Sequence, residues 1–175
     1  VGHGEKLVCT GGSRRHRDEN NIELTMFPPE YTSNKITING LSGFSINSGA
    51  KHFVIEVAPD YNIDWETVGK QIRFSDNFAP HGTNVNFVKK ISSNILEVIT
   101  YEKGVEQIMK SCGSGSVAAA YHMQKKHNLD NNLTIQVKGG ILRIKADENW
   151  KNVWLKGPAK LISNSKINIG SINEI

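Results

Sequence analysis

The chain has 175 residues, 38% hydrophobic and 22% charged, a balance that excludes a disordered or low-complexity protein and suits one compact domain or two small ones. No apolar run approaches the roughly 18 residues a membrane helix needs, so no membrane is expected. The net charge is +4. The densest basic cluster, Arg14-Arg15-His16-Arg17, is followed at once by Asp18-Glu19. It reads as a solvated loop rather than a nucleic-acid surface, and no nucleic-acid partner is expected. The first residues, Val1-Gly2-His3-Gly4-Glu5-Lys6, have neither a basic n-region nor an apolar core. No signal peptide is read there, the missing Met points to a trimmed or truncated start, and a cytoplasmic location is expected.

In chain order, most predicted elements are short strands. Residues 5–10 alternate and end at Gly11-Gly12, and residues 22–26 alternate and stop at Pro28-Pro29. Residues 35–38 and 43–46 flank Asn39-Gly40, a strong hairpin signal. Residues 52–57 form an apolar run ended by Pro59-Asp60. A helix is predicted over 64–72, with Trp65, Val68 and Ile72 at helical spacing and Asn62 or Asp64 as N-cap. Strands follow at 84–88 and 95–101. Residues 114–126, with Val117, Ala118, Ala119, Ala120 and Tyr121, predict a second, mostly buried helix. Strands at 133–137, 141–146, 153–156 and 160–162 complete the pattern. The fold class is α+β, a curled mixed sheet wrapped around one central helix, 114–126, with the 64–72 helix peripheral.

Two cysteines are present, Cys9 and Cys112. Without CxxC or a His pair at ligand spacing they argue against a zinc site, and no metal is expected. Cys112 stands in Ser111-Cys112-Gly113-Ser114-Gly115, just ahead of the buried helix. The first helical turn has N–H groups without intrahelical partners and the positive end of the dipole. Small residues let a ligand approach the backbone closely. The stretch therefore offers a seat for a carboxylate on Gly113, Ser114 and Gly115, beside a thiol whose pKa the same field is expected to lower. A buried structural cysteine in a glycine turn fits this short stretch equally well. A phosphate loop fits less well, since no Gly-Lys-Ser/Thr follows.

Several stretches in order carry a resemblance. They are Asn47-Ser48-Gly49-Ala50-Lys51-His52, Gly82-Thr83-Asn84-Val85-Asn86-Phe87, Thr100-Tyr101-Glu102-Lys103-Gly104-Val105-Glu106 and Ser111-Cys112-Gly113-Ser114-Gly115. Val137-Lys138-Gly139-Gly140-Ile141-Leu142 and Leu155-Lys156-Gly157-Pro158-Ala159 agree with them. Together they resemble the diaminopimelate epimerase family from about Glu5 to the end. The resemblance implies two pseudo-symmetric halves, each a sheet curled around a helix, with the active site between them. It also implies a homodimer, no cofactor and a small amino-acid substrate. Residues 1–16 would be the remnant of the N-terminal half, 17–163 the C-terminal epimerase domain, and 164–175 a tail returning towards the N-terminal half.

The implied reaction inverts the α-carbon of LL-diaminopimelate to the meso form, in lysine and peptidoglycan precursor synthesis. Two cysteines act from opposite faces, one removing a proton and one returning it. Carried over residue by residue, Cys112 is the second of these cysteines. Glu102 matches the glutamate that assists it and contacts substrate. His52 matches a histidine paired with the other cysteine. Asn84 matches a contact to the distal end of the substrate, Lys103 takes the place of a substrate-binding arginine, and Gly113 and Ser114 match the anion-binding backbone.

The chain departs from the family pattern in several places. The first cysteine belongs to an Asn-Gly-x-Arg-Cys stretch that this sequence lacks, and Cys9, in Lys6-Leu7-Val8-Cys9-Thr10, does not replace it. Alone, the chain is expected not to invert a substrate. Lys103 replaces a forked guanidinium with a point charge. Ala50-Lys51 replaces Asn-Pro, and Ile108-Met109 replaces Glu-Thr. Each hydrogen bond to a charged substrate that such a replacement removes would cost about 1.5–3 kcal/mol. Three functions are therefore carried forward: diaminopimelate epimerase, a cofactor-independent racemase of another amino acid such as histidine, and a non-catalytic homologue that binds an anion or partner chain.

Overall fold

The computed structural model describes residues 15–18 and 21–159. Its strands are β1 (Arg15–Asp18), β2 (Asn21–Met26), β3 (Glu30–Tyr31), β4 (Ile36–Ile38), β5 (Leu41–Asn47) and β6 (Lys51–Val57), then β7 (Asn84–Lys90), β8 (Ile95–Glu102), β9 (Gln107–Ile108), β10 (Asn132–Val137), β11 (Gly140–Ala146) and β12 (Val153–Pro158). Helix α1 (Trp65–Arg73) lies between β6 and β7, and α2 (Gly113–His127) between β9 and β10.

Local chemistry sets most of these boundaries. The β4–β5 hairpin turns on Asn39 (φ 51°) and Gly40 (φ 79°), two successive residues in the left-handed region that this turn demands. Asp64 caps α1, its carboxylate accepting from the Thr67 N–H at 3.1 Å. Helix α2 starts at Cys112 and ends at Asn128, whose left-handed φ of 50° closes the last turn. The predicted strands at 5–10 and 160–162 lie outside the described residues. The basic cluster is a correction. Residues 15–18 are not a loop but strand β1, paired antiparallel with β2 through Arg15↔Leu24 to Asp18↔Asn21. Backbone pairing to a neighbouring edge decides this, and a charge run carries no signal for it. The short strands β3 and β9 also have no counterpart in the sequence pattern.

The described strands form one mixed sheet in the order β1-β2-β12-β11-β10-β8-β7-β6-β5-β3, with β4 on β5 and β9 on β8. The pairs β6–β7 and β8–β10 are parallel, and α1 and α2 lie in the connections between their strands. The sheet is curled around α2. Val117, Ala118, Ala119, Ala120 and Met123 of the helix share one core with Ile46 of β5, Val54 of β6, Val98 of β8, Ile135 of β10, Ile144 of β11 and Leu155 of β12, with Met26 of β2 packed against it. Eight adjacent strands, flat, would be about 34 Å wide, against about 10 Å for a helix. One helix can touch that whole width only if the sheet bends around it.

The opposite face carries a second core under α1. It contains Phe53 and Ile55 of β6, Val85 and Phe87 of β7, Tyr101 of β8 and Ile72 of α1. Strands β6, β7 and β8 are thus buried on both faces, and their alternate residues face different helices. Phe87 is fully buried and stacks at 4.9 Å on Trp65. Phe87→Ala is expected to cost about 3–5 kcal/mol in chemical denaturation. Ile141→Ala, at a side chain 53% exposed, should stay within roughly 0.5 kcal/mol of wild type.

Candidate active site at the start of the buried helix

The alternation that buries β6, β7 and β8 also lines up polar groups. On the α2 side of these strands, His52, Asn86 and Thr100 occupy neighbouring positions near one end of the sheet. The register fixes this: Asn86 is opposite Thr100, and His52 is opposite Asn84, two residues before Asn86. All three are buried, at 0%, 0% and 4% exposure. The first turn of α2 comes down on this row. A Cβ added to Gly115 would lie 2.3 Å from Asn86 Nδ2 and 3.2 Å from Cys112 Sγ, so only glycine lets the helix sit this close.

Cys112 is the N-cap of α2. Its Sγ accepts from the Gly115 N–H at 3.4 Å and lies 3.7 Å from Ser114 Oγ. Its carbonyl accepts from the Ser116 N–H at 3.0 Å, the first bond of the helical ladder. The N–H groups of Gly113 and Ser114 come before that bond and have no partner within the helix. Such free N–H groups at a helix start can accept an anion, and these lie beside the thiol. Ser114 is held at both ends. Its Oγ lies 3.0 Å from His52 Nε2, and its carbonyl accepts from Ser48 Oγ at 2.8 Å.

The electrostatics correct one expectation. Burial pushes the Cys112 thiol above its ordinary pKa. The Gly115 N–H acts the other way, as the Ser114 hydroxyl does when it donates to the sulfur, and the nearby Glu102 carboxylate adds to the rise by charge and by hydrogen bonding. The thiol is therefore held in its protonated form, not lowered to a thiolate. The helix terminus is present, but taking charge out of water outweighs it. His52 is pushed down to about 4, chiefly by burial, and stands as a neutral imidazole.

The sequence-predicted residues are brought to one end of the sheet. Cys112, Gly113, Ser114, Glu102 and His52 meet around the start of α2. His52 reaches Cys112 through Ser114 rather than directly. Asn84 makes two structural hydrogen bonds. Its Nδ2 donates to the Lys51 carbonyl at 2.9 Å and its Oδ1 accepts from the Lys103 N–H at 2.9 Å. It staples the β8–β9 turn to the start of β6. The Lys51 and Lys103 side chains are exposed, while Ile108 packs against the core under α1. Asn86, Thr100 and Ser48 also join the site; they stand in the motif stretches but carry no predicted role there, and Asn86, two residues after Asn84, lies with it on one face of a strand. Cys9 lies outside the described residues. Among the described residues, no group of three or more His, Cys, Asp or Glu is placed to hold a metal ion, and no helix is long and apolar enough to cross a membrane.

The curled sheet around a helix has counterparts among solved structures. A hydroxyproline epimerase from Agrobacterium vitis has a similar fold, with a TM-score of 0.62 at 13% identity, covering 79% of this chain and 50% of that one. In sequence, residues 44–162 match the diaminopimelate epimerase family model. The chain belongs to that family. Diaminopimelate epimerase of Aquifex aeolicus is 35% identical over 142 residues, which is 78% of this chain and 50% of the relative. The Hydrogenobaculum enzyme of the same name is 37% identical over 147 residues, covering 82% and 49%. The chain thus spans about half the length of these relatives.

The buried neutral imidazoles predict an acid-labile fold. His122, on α2 and bonded to Tyr31 Oη at 3.0 Å, is also pushed down to about 4, chiefly by burial. Unfolded, both protonate near the ordinary 6.5. Between these values the unfolded chain binds more protons, so stability is complete above the unfolded value and falls as pH drops towards the folded one. Denaturation midpoints should decrease progressively through this window, and NMR titration should find the His52 ring still neutral at its centre. Gly115→Ala should destabilise by about 1–3 kcal/mol through the contact with Asn86, read by the same denaturation.

Proposed function

We propose that the chain supplies the Cys112 face of a cofactor-independent amino-acid epimerase site, with LL-diaminopimelate and its meso isomer as the substrate pair. The observation that carries this reading is the meeting of a thiol, two helix-start N–H groups and a carboxylate at one point. The substrate α-carboxylate would dock on the N–H groups of Gly113 and Ser114. Charge developing at the α-carbon spreads into that carboxylate, where the helix start stabilises it. Cys112 lies beside the seat and exchanges a proton with the α-carbon. Glu102 accepts from the S–H or returns a proton to it. The thiol's raised pKa suits a group that arrives protonated and gives its proton to the carbanion.

Inversion needs a second acid/base group on the opposite face. The family resemblance assigns this to a cysteine in an Asn-Gly-x-Arg-Cys stretch, which is not among the residues around Cys112. With one face only, the 175 residues by themselves are expected to bind an amino acid and leave its configuration unchanged. A homodimer, a cytoplasmic location and the absence of a cofactor belong to the same reading and rest on the resemblance.

One observation favours a different substrate for the same chemistry. The Asn84 amide already bonds the Lys51 carbonyl and the Lys103 N–H, and both neighbouring side chains depart from the family pattern. A racemase of another amino acid is therefore the second reading. Both are tested by incubating the natural protein with single amino acids in D2O and reading deuterium at the α-carbon. Exchange into LL-diaminopimelate, reduced about 10²–10⁴-fold by Cys112→Ala, is the expected outcome. Exchange into another amino acid but not this one would favour the second reading. No exchange into any of them sinks both.

A further inference from the structure

Beneath the first turn of α2 run five polar side chains in an unbroken line. Asn86 Nδ2 donates to Thr100 Oγ1 at 2.7 Å. Asn86 Oδ1 lies 2.8 Å from His52 Nδ1. His52 Nε2 lies 3.0 Å from Ser114 Oγ, and Ser114 Oγ lies 3.7 Å from Cys112 Sγ. The line has a direction. An amide that gives its nitrogen to Thr100 turns its oxygen to His52, and an oxygen can only accept. The proton between them sits on Nδ1. A neutral imidazole carries one N–H, so Nε2 is the acceptor at the other end. The Ser114 hydroxyl then donates to Nε2, and its proton points away from Cys112.

This matters for the thiol. A hydroxyl that donates to sulfur stabilises the thiolate; one that presents a lone pair favours the S–H form. Two titratable groups face Cys112 from the packed strands: Glu102 of β8, and His52 of β6 across Ser114. Glu102 is also an acceptor for the S–H. With the serine proton directed to His52, both neighbours favour the protonated thiol.

We propose that Asn86, anchored by Thr100, is a positioning residue of the Cys112 site: by fixing the His52 tautomer it turns the Ser114 hydroxyl away from the sulfur and keeps Cys112 as a proton-bearing thiol. This rests on Cys112 being the acid/base group, but it is read without substrate, so its failure and that of the epimerase reading are separable. The amide is held by more than its hydrogen bonds, since Gly115 presses on it where a Cβ would come within 2.3 Å.

The first test is direct. In the ¹⁵N-labelled protein, His52 should show the Nδ1–H tautomer at neutral pH; an Nε2–H tautomer overturns the proposal. The second uses alkylation of Cys112 by iodoacetamide, followed on its own peptide by mass spectrometry so that Cys9 is read separately. Asn86→Leu frees the serine hydroxyl to donate to the thiolate. Alkylation near neutral pH should rise roughly fivefold, the worth of one hydrogen bond, with its pH midpoint shifted down. The same substitution in a Ser114→Ala background should change nothing further. An equal response to Asn86→Leu with and without the hydroxyl would mean that Asn86 acts through packing alone, which also overturns the proposal. If Asn86→Leu does not fold, the tautomer in the wild-type protein decides by itself.

Discussion

The site depends on one contact, the approach of the Gly115 backbone to the Asn86 side chain. A helix normally keeps its neighbours at the distance its side chains set. Here a missing Cβ lets the first turn of α2 rest directly on the polar row of β6, β7 and β8. That approach brings the Ser114 hydroxyl to His52 and places the Cys112 sulfur within reach of Glu102. The run of small residues continues down the helix through Ser116, Ala118, Ala119 and Ala120, all buried. The same slenderness lets the sheet close around the helix and leaves its N-terminal end, not its side, as the place where chemistry is exposed.

Two opposing electrostatic effects meet at Cys112. A helix start favours negative charge, which suits both a docked carboxylate and a thiolate. Burial and a carboxylate neighbour favour the neutral thiol, and they win. The consequence is a division within one turn: the backbone N–H groups carry the positive field of the helix start, while the sulfur stays protonated. The neutral His52 fits this arrangement, because a charged imidazole under the helix start would add a cation where none of the packed neighbours can balance it. Its depressed pKa is also where the site and the stability of the whole chain become the same question, since protonating it must disrupt the row beneath α2.

Much of this is legible in the residues. Asn39-Gly40 announces its hairpin because two left-handed residues have few other uses. Asp64 and the spacing of Trp65, Val68 and Ile72 mark α1, and the apolar run from Val117 marks α2. The motif stretches place Cys112, Glu102 and Ser114 together without any coordinates. Less is legible where backbone pairing or burial decides. Nothing in Arg15-His16-Arg17-Asp18 indicates a strand, because its order comes from β2. The direction of the Cys112 shift runs against the sequence expectation because helix position can be seen in a sequence and depth below the surface cannot. Asn84 reads as a substrate contact by its motif; that its amide also bonds two backbone groups from distant positions is visible only in the structure.

The sequence by itself determined most of the local elements, the family, and the presence of a thiol at the start of a buried helix, since these depend on neighbours a few residues apart. Only the tertiary structure decided what that thiol is. Its protonation state depends on how deeply it is buried, on a carboxylate ten residues earlier in the chain, and on a line of side chains drawn from β6, β7, β8 and α2. Those residues are far apart in sequence, and strand register is what makes them neighbours.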